Sequence, residues 1–385
     1  MSAGAIEAFL AARRTDAERF LAELVKVASD TPPGDNAEHA GRAATLLEGL
    51  GFEVERHPVP RDAVLAAELR SITNLVVRHR FGEGPGVALN AHGDVVPPGG
   101  GWTHPPYAAE VHGGRMYGRG VAVSKSDFAT YAFALAALRE AARQGTPLRG
   151  TVELHFTYDE EVGGTLGPGW LLAQGITRPD YVVCAGFSYG IVTAHNGCLQ
   201  LEARLHGRAA HAGIPQTGVD AVRAATGVLS DLYAASAALA QTRSRTPGIT
   251  HPTLNVGRIE GGLHTNVVPE SAMFRIDRRI VPEESPAEVE TSLRRTIEAA
   301  AAKHAGIRLE MRRLLLAEPL RPLPGHERLV QALQRHGERV FGEPIPAAGV
   351  PLYTDARHYS AAGIPVVLYG AGPRSIEESN AKRAD

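Results

Sequence analysis

Several features that would mark a specialised class of protein are scarce in this sequence of 385 residues. Its two cysteines, Cys184 and Cys198, offer neither a disulfide framework nor a Cys-x-x-Cys metal motif, so we expect two buried thiols. The formal net charge of −2 provides no overall basic field for nucleic acid. No apolar run approaches a membrane span, and the N-terminal residues predict an amphipathic helix instead of a signal peptide. We therefore expect a cytoplasmic protein without nucleic-acid or membrane partners.

The composition that remains is typical of an ordinary globular protein, with 44% hydrophobic and 21% charged residues. The chain is long enough for two domains, each with its own core. Apolar patterns predict helices at 6–28, 37–50 and 128–143, and strands at 52–55, 74–77, 87–90, 152–157 and 181–184. Strands that alternate with helices indicate an α/β fold with a mostly parallel sheet, covered by helices on both faces.

The pattern changes near His195. Strands are predicted at 198–206, 253–259, 272–280 and 307–314, with helices at 220–239 and 286–304. This β-α-β-β-α-β order matches a small ferredoxin-like α+β sandwich. Helix, strand and glycine-rich turns resume from residue 328, so the sandwich is predicted to be inserted in the larger domain. We assign residues 1–194 and 315–385 to the main domain and residues 195–314 to the insert.

Two acidic motifs follow buried strands of the main domain. They are His92-Gly93-Asp94 and Asp159-Glu160-Glu161. Ligands collect at the carboxyl ends of strands in open α/β sheets, so both motifs are expected to line a cleft. Imidazole and carboxylate groups bind divalent cations, and a spare carboxylate can accept a proton from water. The two motifs therefore suit metal-assisted hydrolysis.

Four motifs in this order resemble the aminoacylase, acetylornithine deacetylase, succinyl-diaminopimelate desuccinylase and carboxypeptidase G family of co-catalytic metallohydrolases. They lie at 91–97 (AHGDVVP), 117–120 (YGRG, with Lys125), 158–163 (YDEEVG) and 207–211 (GRAAH). Further matches lie at 265–269, 277–279, 363–365 and 368–370. The resemblance implies that the main domain is catalytic and that the insert is a lid and dimerisation domain. It also implies hydrolysis of an amide bond in a small carboxylate-bearing substrate, such as an N-acyl amino acid or a dipeptide.

The resemblance implies a role for each matching residue of the main domain. His92 would bind the first metal ion, and Asp94 would orient His92 from behind. Glu160 would be the general base, and Glu161 would bind the second metal ion. Arg357 is a further candidate to hold a substrate carboxylate, because a guanidinium fork matches that group.

The insert supplies the remaining residues that the resemblance implies. His211 would reach across a homodimer to polarise the scissile carbonyl. Asn266 and Arg279 would hold the substrate.

Three of the five metal ligands of the family are replaced in this sequence. Val123 stands where the bridging Asp is expected, Gly186 where the second carboxylate of the first metal is expected, and Lys382 where the last His is expected. The family uses two metal ions, and each would keep one protein ligand here, whereas sites usually have three or four. We therefore expect zero or one divalent ion, zinc or manganese, per chain.

Two other classes of function remain open at this point. One is a metal-independent enzyme of the same fold that uses Glu160, Lys382 and His92 for other acid–base chemistry. The other is a catalytically silent protein that binds a small molecule through the cleft and its arginines. A Gly-x-Ser-x-Gly motif around Ser188 matches a nucleophile elbow, but an elbow needs a helix after the serine. The residues that follow Ser188 are instead predicted to be extended.

Overall fold

The computed structural model describes residues 2–373 of the chain. These residues form two compact units. The first contains residues up to 193 together with 322–348 and those from 354 onwards, and the second contains 194–321 and 349–353. Among the described residues, no helix combines the length and the apolar character needed to span a bilayer.

The helices and strands alternate along most of the described chain. The α-helices are α1 Ser2–Ala12, α2 Arg14–Val25, α3 Ala37–Gly49, α4 Arg61–Ala66, α5 Lys125–Arg143, α6 Pro168–Ala173, α7 Ala221–Leu239, α8 Pro286–Ala301, α9 His326–Phe341 and α10 Ala356–Ala361. The strands are β1 Glu55–Pro58, β2 Thr73–Arg80, β3 Gly86–His92, β4 Glu110–His112, β5 Arg115–Tyr117, β6 Thr151–Thr157, β7 Tyr181–Cys184, β8 Ile191–His195, β9 Gly197–His206, β10 Ala210–His211, β11 Thr253–Gly261, β12 Val267–Val268, β13 Ser271–Ile280, β14 Arg308–Ala317, β15 Ala347–Val350 and β16 Val366–Leu368.

The larger sheet has eight strands in the order β1-β2-β6-β3-β7-β16-β8-β15. Its centre is parallel, because β3 pairs in parallel with β6 and β7, and β7 pairs in parallel with β16. The pairs β1–β2, β2–β6 and β8–β16 are antiparallel. The predicted α/β class with a mostly parallel sheet is therefore confirmed, and the antiparallel pairs lie on either side of the parallel centre.

Helices bury both faces of this sheet, which explains why its central strands are apolar. Leu154 and Phe156 of β6 belong to one core cluster with residues of α2, α3 and α5. Val183 of β7 and Val367 of β16 pack instead with apolar residues of α9. His155, which lies between Leu154 and Phe156 and points to the opposite face of the sheet, is also buried. Side chains on both faces of the strand are therefore withdrawn from water.

Two predicted elements near the N-terminus have different bounds in the structure. The single helix expected at 6–28 is two helices, α1 and α2, which meet at Arg13 (φ −104°, ψ 10°). The backbone keeps a nearly helical course across this break, because Arg13 N still donates a hydrogen bond to Phe9 O and Ala17 N to Arg13 O. The strand expected at 52–55 begins only at Glu55. Phe52 is part of the turn after α3, where its N–H donates to Leu47 O.

The second unit contains a four-stranded antiparallel sheet in the order β11-β13-β9-β14. Alternate residues of β9, such as Leu199 and Leu201, form one core with residues of α7 and α8. Helix α7 begins after Asp220, whose carboxylate caps the helix by accepting a hydrogen bond from Arg223 N at 2.9 Å. The predicted ferredoxin-like arrangement is confirmed in this unit.

Candidate functional site

The two acidic motifs meet at one edge of the large sheet. Strands β3 and β6 run in parallel with His92 opposite Thr157, so both motifs leave the sheet at the same level. His92 Nε2 lies 3.9 Å from Glu160 Oε2. One ligand atom each from His92, Glu160 and Glu161 lie within 4.8 Å of one another. This spacing allows the three side chains to face one cation.

Asp94 joins the two motifs from a fully buried position. Its carboxylate accepts hydrogen bonds from the main-chain N–H groups of Glu160 at 3.4 Å and Glu161 at 3.2 Å. The same carboxylate lies 3.4 Å from His92 Nδ1, which also lies 3.0 Å from the main-chain oxygen of Asp94. Asp94 therefore fixes the glutamate turn as well as the imidazole of His92.

A glycine is required at position 93, between His92 and Asp94. A Cβ atom on Gly93 would lie 2.6 Å from Tyr158 Cε1 and 3.0 Å from His39 Cε1. Tyr158 and His39 are buried and hold each other through a contact of 2.8 Å between the hydroxyl and Nδ1. Glycine at position 93 thus lets the backbone just after β3 approach Tyr158 and His39 closely.

The turn that carries the glutamates is built on Asp159. This residue has a left-handed backbone conformation with φ 95°, which is uncommon for a residue other than glycine. Its buried carboxylate accepts hydrogen bonds from Leu166 N at 2.7 Å and Gly167 N at 2.8 Å. The carboxylate thereby closes the loop that follows, and Glu160–Val162 form a 3-10 turn directly after it.

Buried and partly buried carboxyl groups are crowded in this site. Burial raises the pKa of Glu160 well above its usual value, and the charges of Glu161, Asp355 and Asp94 add to the shift against the effect of His92. Burial likewise raises the pKa of Glu161 and that of Asp355 to about 7 each. Four carboxylates in such close proximity repel one another when ionised, so the site favours a bound cation or retained protons.

His92 is the imidazole that faces these carboxylates. Burial lowers its pKa, but the charges of Glu160, Asp94 and Glu161 outweigh burial and raise the pKa well above the usual value. A protonated imidazole cannot ligate a metal ion. Binding of a metal ion through His92 would therefore release a proton.

The described residues fit one divalent cation but not a bridged pair. At position 123 the side chain is the apolar isopropyl group of Val123, which cannot bridge two ions. At position 186, a Cβ atom would lie 2.9 Å from Leu368 Cβ and 3.2 Å from Tyr369 N, so the backbone after β16 occupies the space of a longer side chain. Lys382, the third replaced position, lies outside the described residues.

Asp127 is the first carboxylate after Val123 in the sequence, but it holds the backbone after β16 instead of facing the site. Its buried carboxylate accepts hydrogen bonds from Ala371 N at 2.7 Å and from Ser126 Oγ at 3.4 Å. A Cβ atom on Gly370 would lie 2.0 Å from Asp127 Oδ1. Asp127 therefore anchors the segment that follows β16. It does not belong to the group formed by His92, Glu160 and Glu161.

Arg357 and Asp355 lie at the start of α10. The guanidinium of Arg357 is largely buried and donates a hydrogen bond to Gly163 O, just after the glutamate turn. Asp355 lies 3.5 Å from Thr157 Oγ1 at the end of β6. Nothing in the local sequence pattern around Asp355 links it to Glu160. Its link arises from the tertiary fold.

The nucleophile elbow around Ser188 is absent from the structure. Strand β8 follows Ser188, where an elbow needs a helix. The Ser188 hydroxyl donates a hydrogen bond to Gly372 O at 2.7 Å. The alternative is therefore rejected for the geometric reason that the sequence already suggested.

His211 and Asn266 lie together in the second unit. Strand β10 pairs with β12, and Ala212 N donates a hydrogen bond to Asn266 O at 3.0 Å. His211 is exposed, and its Nδ1 accepts a hydrogen bond from Gly213 N at 3.0 Å. This bond leaves the ring proton of the neutral imidazole on Nε2, where it is available as a donor.

Arg279 lies on β13 of the same unit. Its guanidinium forms two contacts with Asp277, of 2.7 and 3.3 Å, and lies 5.5 Å from the centre of the Tyr353 ring. The predicted site residues therefore form two sets. His92, Asp94, Glu160, Glu161 and Arg357 belong to the first unit, and His211, Asn266 and Arg279 belong to the second.

Comparison with known proteins gives a single family. The profile of peptidase family M20/M25/M40 matches residues 88–383. The chain is 31% identical over 277 residues to a succinyl-diaminopimelate desuccinylase of Gluconobacter oxydans (strain 621H), covering 69% of this chain and 68% of the relative. It is 30% identical over 346 residues to an acetylornithine deacetylase of Proteus mirabilis (strain HI4320), covering 88% of this chain and 82% of that protein.

The fold is also similar to that of a solved structure from the same family. The M20 family metallo-carboxypeptidase Sso-CP2 from Sulfolobus solfataricus superposes with a TM-score of 0.73 at 17% identity, covering 92% of this chain and 93% of that chain. At this identity the likeness concerns the fold.

Proposed function

The chain belongs to peptidase family M20/M25/M40, and we propose that this hydrolase cleaves the amide bond of a small carboxylate-bearing substrate. An N-acyl amino acid or a dipeptide would meet this description. The relatives named as a deacetylase and a desuccinylase support an acyl group on an amine as the bond that is cleaved.

One observation carries the proposal: the carboxyl group of Glu160, whose side chain is 15% exposed, lies beside His92 at the carboxyl ends of two parallel strands. A carboxyl group whose pKa is raised toward the working pH can accept a proton from water and later donate it to the leaving amine. We assign this role to Glu160. Asp94 would hold Glu160 and Glu161 in place through their main-chain N–H groups.

We assign metal binding to His92 and Glu161, with zero or one zinc or manganese ion per chain. A divalent cation in this place supplies Lewis acidity to the scissile carbonyl and to water. Among the described residues, Val123 and Gly186 supply no further ligand. A positive charge in the site would be stabilised by the four crowded carboxyl groups, whether it came from a metal ion or from a side chain. These groups belong to Asp94, Glu160, Glu161 and Asp355.

The second unit would act as a lid that completes the site. His211, with its proton on Nε2, would donate a hydrogen bond to the oxygen of the scissile carbonyl as negative charge develops there. Asn266 and Arg279 would hold the substrate carboxylate. Arg357 remains a further candidate, although its bond to Gly163 O suits a role in supporting the glutamate turn.

We propose that the protein is a homodimer in which His211 of one subunit serves the site of the other. Strand β11 lies at the edge of the four-stranded sheet and carries the exposed Ile259, and Leu263 just beyond it is exposed as well. An open sheet edge with apolar side chains is suited to pairing with a second chain. Mixing of the inactive variants His211→Ala and Glu160→Gln should restore activity where subunits exchange. An active, monodisperse monomer would contradict this proposal.

A metal-independent enzyme of the same fold is the second candidate. The replacement of two described ligand positions by Val123 and Gly186 favours it. Activity that is unchanged after exhaustive chelation would support this candidate, whereas loss of activity and recovery with zinc or manganese would support the first.

The proposed reaction can be tested with a panel of N-acetyl and N-succinyl amino acids and dipeptides. Release of the free amine would be measured for the wild-type protein and for Glu160→Gln. We expect turnover of at least one member by the wild type and loss of most of it in the variant. Absence of turnover across the panel, with and without added zinc or manganese, would favour the silent binding protein.

A further inference from the structure

We infer that the β4–β5 hairpin carries a second metal site, formed by His104, Glu110 and His112, for a zinc-like divalent cation. One ligand atom from each of these three residues lies within 4.8 Å of the others. None of the three belongs to the site around Glu160. The inference does not depend on the proposed function.

The hairpin fold brings the side chains together. Glu110 and His112 are two residues apart on β4, so they project from the same face of the strand. Tyr117 lies opposite Glu110 in the pairing with β5. The ring of His104 stacks on that of Tyr117 with 4.2 Å between centroids and lies 5.0 Å from the ring of His112. Three ligands thus converge although His104 lies outside the hairpin.

The distances are close to those of a metal site before the ion is bound. Glu110 Oε2 lies 2.8 Å from His104 Nδ1 and 3.3 Å from His112 Nε2. Ligand atoms around a tetrahedral zinc ion are about 3.3 Å apart, given bonds of about 2.0–2.1 Å. The contact between Glu110 and His104 has to lengthen by roughly 0.5 Å on this geometry.

The chemistry of the ligands selects the class of ion. Two imidazoles and one carboxylate suit zinc and similar transition metals, whereas calcium and magnesium prefer oxygen ligands. The His112 side chain is 60% exposed, which leaves a path from solvent for the ion and for water as a fourth ligand.

A cation in this place would tie the loop before the hairpin to the hairpin itself. Strand β5 leads directly into Gly118-Arg119-Gly120 and then to Val123. The indole of Trp102, in the same loop, lies 5.0 Å from the guanidinium carbon of Arg119. Binding should therefore stabilise the loop and the folded chain, by the general linkage between binding and stability.

The test uses the full-length protein with His92→Ala and Glu161→Gln, so that zinc binding at the candidate active site is removed. Zinc chloride is titrated in competition with a chromophoric chelator, and cobalt chloride is added separately to record its absorption spectrum. We expect one zinc ion per chain, a cobalt spectrum typical of nitrogen and oxygen ligands, and a higher Tm with zinc. His112→Ala and Glu110→Gln should each weaken zinc binding at least about tenfold.

His206→Ala is the matched control, because His206 and Glu310 form a similar surface pair without a second described imidazole in the group. This variant should leave the zinc stoichiometry unchanged. His112→Asn serves as a second variant if His112→Ala fails to fold, as judged by circular dichroism without zinc. Absence of saturable zinc binding, or binding that both His112 variants leave unchanged, would overturn the inference.

Discussion

The Asp94 carboxylate accepts a hydrogen bond from the main-chain N–H of Glu161 at 3.2 Å, across 67 residues of sequence. One buried side chain therefore positions the two motifs that carry the candidate chemistry. A hydrogen bond from a main-chain N–H to a carboxylate is among the stronger ones in proteins. Its loss would remove one of the two hydrogen bonds that join the Glu160–Val162 turn to Asp94.

Replacement of Asp94 tests this relationship. In Asp94→Asn one carboxylate oxygen becomes an amide group that donates instead of accepting, so one of the two main-chain bonds is lost. We expect kcat/KM to fall about 10–100-fold, as for other residues that orient ligands. Steady-state kinetics on the substrate found in the panel would measure this. Asp62→Asn, at an exposed position of α4, is the control and should retain full activity.

The two adjacent glutamates should respond differently to the same substitution. Glu160→Gln removes the proposed base, so kcat should fall about 10²–10⁴-fold while KM changes little. Glu161→Gln removes a proposed metal ligand, so activity should recover in part when zinc or manganese is added in excess. Titration of each variant with metal would separate the two roles. Equal recovery of both variants would show that the roles are not divided in this way.

Asp127 should make the protein less stable as the pH rises. Burial raises the pKa of its carboxyl group from 3.8 to about 7 in the folded protein. The folded state therefore binds more protons than the unfolded state between these values, and stability falls as the pH rises through this window. The loss is on the order of 2–4 kcal/mol. In Asp127→Asn it should disappear, while the bond from Ala371 N can be kept by the amide oxygen.

Thermal unfolding at pH 5.5 and pH 8 would measure this effect. We expect Asp127→Asn to gain stability relative to the wild type at pH 8 and to gain about half as much at pH 5.5. The exposed Asp62→Asn serves again as the control. A variant that is destabilised equally at both pH values would show that Asp127 acts only through its hydrogen bonds.

Arg279 is expected to hold the substrate carboxylate. Arg279→Ala should raise KM more than it lowers kcat, because loss of a charged hydrogen bond costs about 1–3 kcal/mol. Amidation of the substrate carboxylate should produce a similar loss in the wild type and little further loss in the variant. Arg308→Ala is a matched control, because Arg308 forms a comparable pair with Glu310 on strand β14 of the same sheet. Equal activity on free and amidated substrates would exclude the anchor.

The large-scale fold could be predicted from the sequence because its elements are local patterns. The alternation of β9, with Leu199, Leu201 and Leu205 on the core side, identified the antiparallel sheet directly. Strands β3 and β6 were visible as apolar runs that end in acidic motifs. The break at Arg13 was missed because the apolar period continues through both helices.

The finer structure of the site could not be predicted because it depends on contacts between distant segments. Asp355 joins the acidic cluster from a helix that begins almost two hundred residues after Glu160. The bond between Asp127 and Ala371 N links α5 to the segment after β16. The stack of His104 on Tyr117 likewise depends on how the loop returns to the hairpin. No periodicity in the sequence encodes these approaches.

The central claim is that this member of the family has the fold and the general base of the family but an incomplete metal site. The number of metal ions bound at His92, Glu160 and Glu161 tests this claim most directly. Zinc and manganese would be counted by mass spectrometry in His112→Ala protein purified without chelators, so that the hairpin does not contribute. We expect at most one ion per chain, and none after His92→Ala. Two tightly bound ions per chain would contradict the account, because Val123 and Gly186 would then have been wrongly matched to the missing ligands.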